Sequence, residues 1–143
     1  MTLLGYLQSL RYSDGSSVLV SRGALSTGEE AQAERSGHPY LMLFGLPHFE
    51  QDRFLGGGKE MARVFDIVLE QRPAAGRVPD IAEINRLYGL VGDAPEHVTE
   101  LVHGIRLTQR LEYVGGFEPE QKFRTPDWLT ATISFQGSFQ TRF

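Results

Sequence analysis

Polar and apolar residues alternate with a period of two along "TATISFQGSFQTRF", the last fourteen residues of the chain. Ala131, Ile133, Phe135, Phe139 and Phe143 fall at one parity, and Thr130, Thr132, Ser134, Gln136, Ser138, Gln140 and Arg142 at the other. Successive side chains of a strand point to opposite faces, so the spacing predicts a strand with one apolar and one polar face. The same alternation runs through "IRLTQRLEYV", where Ile105, Leu107, Leu111 and Tyr113 oppose Arg106, Thr108, Arg110 and Glu112. A polar connection from Gly115 to Pro126 joins the two segments, which predicts an antiparallel hairpin. An earlier hairpin follows from "PYLMLFGL", an apolar run short enough for a buried strand, and "EMARVFDIVLEQR", in which Phe65, Ile67 and Leu69 share a face. "HFEQDRF" extends the first of these in more polar form, and Gly56, Gly57 and Gly58 supply a projecting tip.

Helical spacing takes over elsewhere. Leu3, Leu4, Leu7 and Leu10 lie on one face of a short amphipathic helix that ends near the Asp14-Gly15 turn signal, and "SSVLVS" predicts a brief strand after it. "STGEEAQAER" carries a capping box, with Ser or Thr three residues before Glu29 or Glu30, and Gly37 stops the helix. It has no apolar stripe, so a solvated or loosely docked helix is expected. Ile81, Ile84, Leu87, Tyr88 and Val91 repeat at helical spacing behind Pro79, which suits a first turn. Gly89, Gly92 and Pro95 interrupt that pattern, which predicts two helices, about 80–91 and 95–103. The order helices, hairpin, helices, hairpin predicts an α+β fold with a mainly antiparallel sheet of about four strands in two hairpins and helices packed on one face. One domain over residues 1–143 is expected, with 1–37 as an N-terminal helical region.

Composition narrows the functional classes. At 143 residues and 41% hydrophobic content the chain suits a single core burying roughly 70% of its unfolded surface. With no cysteine, disulfides, thiolate metal ligands and a cysteine nucleophile are excluded. The start lacks a basic leader and no run approaches membrane-spanning length, which predicts a soluble chain with no membrane partner. A net charge of −4 opposes a non-specific nucleic-acid clamp, which needs cations against phosphates. A weakly acidic wall would let DNA pass without gripping it.

Candidate chemistry is sparse. "LGGGKE" suggests a phosphate loop, but Arg53 stands where the first glycine belongs and Glu60 where the hydroxyl belongs, so a hairpin tip is the better reading. His97 and His103 are too far apart in sequence to share one helical turn as zinc ligands. His48, Glu50 and Asp52 share a strand parity, as a hard-cation site would, although three such groups on a strand are more often solvated. No spacing of carboxylates singles out an acid/base pair. The polar faces of 105–114 and 129–142 carry Thr, Ser and Gln with few charges. Such a face meets solvent, a subunit or the wall of a channel.

From "HPYLMLFG" through "RVFDIVLEQR", the helical segment, "IRLTQRLEYV" and "LTATISFQGSFQTRF", the chain resembles the tail terminator proteins of long-tailed bacteriophages, the lambda type among them. The resemblance spans about residues 38–143 and rests on the order, spacing and character of the segments; residues 11–37 have no counterpart in it. It implies an α+β subunit of a hexameric ring that caps the tail tube at full length and presents the docking surface for the head connector or head-completion protein. DNA would pass through the lumen without specific binding, at the head-proximal end of a virion tail assembled in the host cytoplasm. It implies no catalysis, cofactor or metal. The interface residues expected on this reading are the tip Phe54, Leu55, Gly56, Gly57, Gly58 and Lys59 against an adjacent ring. Thr132, Ser134, Gln136, Ser138, Gln140 and Arg142 would face a subunit or the lumen. A different small ring-forming neck or tail part, or a small enzyme with a site assembled from distant positions, are the alternatives.

Overall fold

Thr2 opens the first helix because its hydroxyl accepts the Gly5 amide at 3.0 Å, and the helix α1 runs Leu3–Ser9 with Leu3, Tyr6 and Leu7 turned inward. The computed structural model describes residues 1–45, 59–72, 80–121 and 129–141, and of residues 59, 60, 118–121 and 141 only the backbone. Strand β1 (Val20–Arg22) precedes helix α2 (Thr27–Ser36), and the antiparallel pair β2 (Tyr40–Phe44) and β3 (Lys59–Gln71) follows. Helix α3 (Ile81–Gly92) and a 3-10 turn (Ala94–Glu96) lead to the small ladder β4 (Glu100–Val102) and β5 (Ile105–Arg106). Strands β6 (Glu112–Gln121) and β7 (Leu129–Thr141) come last among the elements of the described residues. Among the described residues no helix is long and apolar enough to cross a membrane.

The main sheet has the order β1-β2-β3-β7-β6. The fold is α+β, but the sheet has five strands and is mixed, because β1 lies parallel to β2 while every other neighbour is antiparallel. Periodicity could place "SSVLVS" on a strand; it could not give the direction of its partner. The two hairpins are joined by the longest pairing in the molecule, β3 against β7 from Lys59↔Thr141 to Gln71↔Leu129.

One face of this sheet is the core. Leu41, Leu43, Phe65, Ile67, Leu69, Ala131, Ile133, Phe135 and Phe139 are buried there against Leu3, Tyr6 and Leu7 of α1 and Ile84, Leu87 and Val91 of α3. The Tyr6 hydroxyl donates to the Leu90 carbonyl at 2.5 Å and ties the two helices together. Tyr12 donates to the Pro39 carbonyl at 2.6 Å and accepts from the Leu19 amide at 3.1 Å, and burial pushes its phenol up to about 12. On α3 the buried Glu83 carboxylate accepts from the Ser13 amide at 3.0 Å, from the Ser13 hydroxyl and from Arg86 at 3.3 Å, which fixes the 11–16 loop to the helix.

Helix α2 departs from the one-face arrangement. Its capping box is present as its sequence predicts: the Ser26 hydroxyl accepts from the Glu29 amide, Glu29 returns to the Ser26 amide at 3.0 Å, and Gly37 closes the end at φ 66°. Glu29 also accepts from Ser21, and Glu30 pairs with Arg72 at 3.8 Å, on the face opposite the core. There Tyr40 donates to the buried Glu70 carboxylate, Arg72 reaches the same oxygen at 3.3 Å, and Ala33 is buried. Thus α1 and α3 cover one face, and α2 covers a corner of the other.

Three segments differ from expectation. Residues 95–103 do not form a helix: Pro95 holds a single 3-10 turn, and Val98 and Leu101 are buried as the chain enters β4. Residues 105–114 are not one strand, because β5 turns back on β4 around Gly104, the chain touches β7 at a single Leu107–Phe139 bridge, and it enters the sheet as a strand only at Glu112. The stretch 115–121 is strand instead of connection. Gly115 and Gly116 read as breakers in sequence, yet Gly116 serves the ladder: a Cβ there would lie 2.1 Å from the Thr132 carbonyl oxygen, so only glycine lets β6 approach β7.

Candidate functional site

The register of the sheet sorts the second face into rows. Phe117, Thr132, Val68 and Met42 stand side by side across β6, β7, β3 and β2, and the next row toward the β2 end holds Gly115, Ser134, Asp66 and Phe44. Beyond it lie Glu112, Gln136 and Val64, and then Ser138 with Ala62. Strand alternation puts all of these opposite the core. The result is an open face, bordered by α2 at the Tyr40–Glu70 corner.

Of the residues expected at an interface, Thr132, Ser134, Gln136 and Ser138 lie on this face half-buried, and Gln140 continues it exposed. The Ser134 hydroxyl donates to Asp66 at 2.5 Å, which satisfies the one carboxylate in the middle of the face. Phe54, Leu55, Gly56, Gly57, Gly58 and Arg142 fall outside the described residues, as do His48, Glu50 and Asp52, while Lys59 begins β3 opposite Thr141.

The face is less polar than the alternation in β7 alone predicts. Val64 is 51% exposed, Phe117 68% and Phe44 36%, and Met42 and Val68 are half-buried between them. These residues were missed because the apolar run of β2 and the core parity of β3 conceal a second, outward-pointing apolar set. "MARVFDIVLE" is apolar at both parities, and that is the signal that could have revealed it. Neutral hydroxyls and amides on β7 therefore alternate with apolar groups on β2, β3 and β6. A surface poor in charge and mixed in this way resembles the core of a protein–protein contact, where charged residues are depleted.

At the β1 end, on the core side, a groove of about 770 Å³ opens between α1, β4 and the ends of β1 and β2. Leu4, Leu43, Phe44 and Leu101 give it apolar walls, with Arg22 and His103 at its polar rim. His97 stacks on Tyr6 at 5.0 Å, so the two histidines considered as ligands are used apart. Among the described residues no group of three or more His, Asp or Glu is placed to hold a metal.

No family model, curated protein or solved structure matches this chain.

Proposed function

We propose that this protein is a structural ring subunit of the tail terminator type. On this reading six copies close a ring at the head-proximal end of a phage tail tube, the head connector or head-completion protein docks on it, and DNA passes through the lumen without being gripped. The observation that supports it is the open face of the sheet, where Thr132, Ser134, Gln136 and Ser138 stand among Met42, Phe44, Val64 and Phe117. A broad, charge-poor sheet face suits contact with another protein surface better than it suits enclosure of a small substrate. The net charge of −4 suits a lumen that DNA traverses.

Electron microscopy of the purified protein, alone and mixed with tail tubes, tests the reading. Closed rings seated on tube ends are expected. A chain that forms no ring and leaves the tube ends bare overturns it. Rings that stack along the tube or bind only heads assign the protein to another position in the virion.

A further inference from the structure

Strand β1 leaves one side of its main chain open. The Leu41 amide donates to the Leu19 carbonyl at 2.9 Å and the Gly23 amide to the Leu43 carbonyl at 2.8 Å, so Leu19, Ser21 and Gly23 turn their peptide groups toward β2. Peptide groups alternate in direction along a strand, so those of Val18, Val20 and Arg22 turn outward. The Val18 amide is taken there by the Leu10 carbonyl at 3.2 Å, where the chain leaves α1. No described group pairs with the outward amides and carbonyls of Val20, which is half-buried, and Arg22, which is exposed. A sheet edge open in this way is a template for another extended chain.

The groove of about 770 Å³ adjoins this edge and reaches Arg22 and Gly23 at the end of β1. Arg22 is paired in register with the buried Leu43, so its side chain leaves the strand on the core side, where the groove lies. Leu4 of α1 and Leu101 of β4 wall the recess opposite. Arg22 and His103 stand exposed on its rim and make no hydrogen bond or ion pair with another described residue, and none of the described lining residues is Asp or Glu. Glu100, on the same ladder as His103, turns instead to the Gly104 amide at 3.1 Å. The recess thus combines apolar walls with two cations and no anion to answer them.

We propose that the β1 edge binds an extended acidic segment of another protein, which pairs its main chain with Val20 and Arg22, lays an apolar side chain in the groove and sets a carboxylate against Arg22 and His103. The two outward peptide groups lie about 7 Å apart along the strand, the two-residue repeat of an extended chain. A small amphipathic acid could use the groove and the cations but would leave this edge unpaired. A nucleic acid would need a run of cations, whereas this recess offers two beside apolar walls. β1 is three residues long, so the segment it takes is short, and the guanidinium–carboxylate pair supplies specificity that a strand pairing alone lacks. The site does not depend on the ring reading.

NMR titration of the isotopically labelled full chain with a capped synthetic peptide tests it. The probe, serine-leucine-threonine-glutamate-serine, carries one apolar and one acidic side chain on a single face when extended. It should shift the amide signals of Arg22, Gly23 and His103 and slow hydrogen exchange at Val20 and Arg22. Lysine in place of its glutamate should weaken binding about tenfold or more, and Arg22→Gln or His103→Gln in the protein about threefold to tenfold, with the unfolding midpoint unchanged. N-methylation of the peptide at leucine and glutamate, or instead at threonine and the serines, should abolish binding in one of the two sets only, because alternate amides face β1. No shift at these residues overturns the inference, as does undiminished binding of the lysine peptide or by either variant. Equal effects of the two N-methylated sets would remove the strand pairing and overturn it as well. Decanoate shifting these signals where the peptide does not would make the groove a site for a small amphipathic acid. Movement of the Val20 and Arg22 signals on dilution of the chain alone would put a second copy on the edge, and either result overturns the inference while leaving the ring reading to its own test.

Discussion

Phe135 shows how a single parity position couples sequence to fold. It is 1% exposed, sits between Phe65 and Tyr113 in the sheet and faces the helices. Phe135→Ala should cost about 3–5 kcal/mol, from lost transfer energy and the cavity left behind, read as the shift in denaturant midpoint at constant slope. Its inward direction was legible because strand alternation needs no knowledge of the partner. Gly116 was illegible for the converse reason: its role depends on the Thr132 carbonyl, which only the register brings close. Gly116→Ala should destabilise the fold and release β6 from β7, seen as faster amide exchange in β6 than in β3. Unchanged exchange there would show that the strand shifts to admit the methyl group at little cost.

Local signals sufficed for α1, α2, β3 and β7, and misled where distant partners decide the form, at 95–103 and 105–114. The capping box of α2 and its glycine stop lie between Ser26 and Gly37, a short stretch of chain, so sequence sufficed. The second helix was assigned to 95–103 because Gly89, Gly92 and Pro95 interrupt the helical pattern, but a 3-10 turn and the ladder of 100–102 with Ile105 and Arg106 claim that stretch. The polar face of β7 was legible, whereas the apolar half of the same surface came from two other strands and emerged only with their register. This predicts a paired outcome on the open face. Val64→Ser and Gln136→Glu should each leave the unfolding midpoint within about 0.5 kcal/mol of the parent, since both side chains lie outside the core. If the face meets another subunit or DNA, both should lower the yield of completed tails. Large destabilisation with normal assembly would place these residues in the folding core instead.

At the scale of the molecule, two carboxylates brace the segment that the family pattern does not cover, Glu29 within it and Asp14 also against His38. The Ser26 amide holds Glu29 below the ordinary glutamate range, helped by the Ser26 and Ser21 hydroxyls and opposed by burial. The Ser16 hydroxyl and amide lower Asp14 in the same way, with His38 at 3.2 Å contributing. A lowered folded-state value gives stability that is present above the unfolded range of about 4 and is lost as pH falls through the folded value. Unfolding midpoints should therefore decline on the acid side of about pH 4, and Glu29→Gln should make that decline shallower by lowering the midpoint near neutrality while leaving the acid end little changed. An identical acid profile in the variant would show that Glu29 has the same affinity for protons folded and unfolded. The order of the strands has a further consequence, for synthesis. β7 lies between β3 and β6 in the sheet and follows its other four strands in the chain, pairing residue 59 with 141 across most of the sequence. A nascent chain therefore emerges from the ribosome with its sheet in two parts, β1-β2-β3 on one side and β6 alone on the other. Pairing between such distant segments is slow to form. Because β6 joins the sheet only through β7, a copy truncated before Leu129 leaves β6 with no strand to pair with and the sheet at three strands.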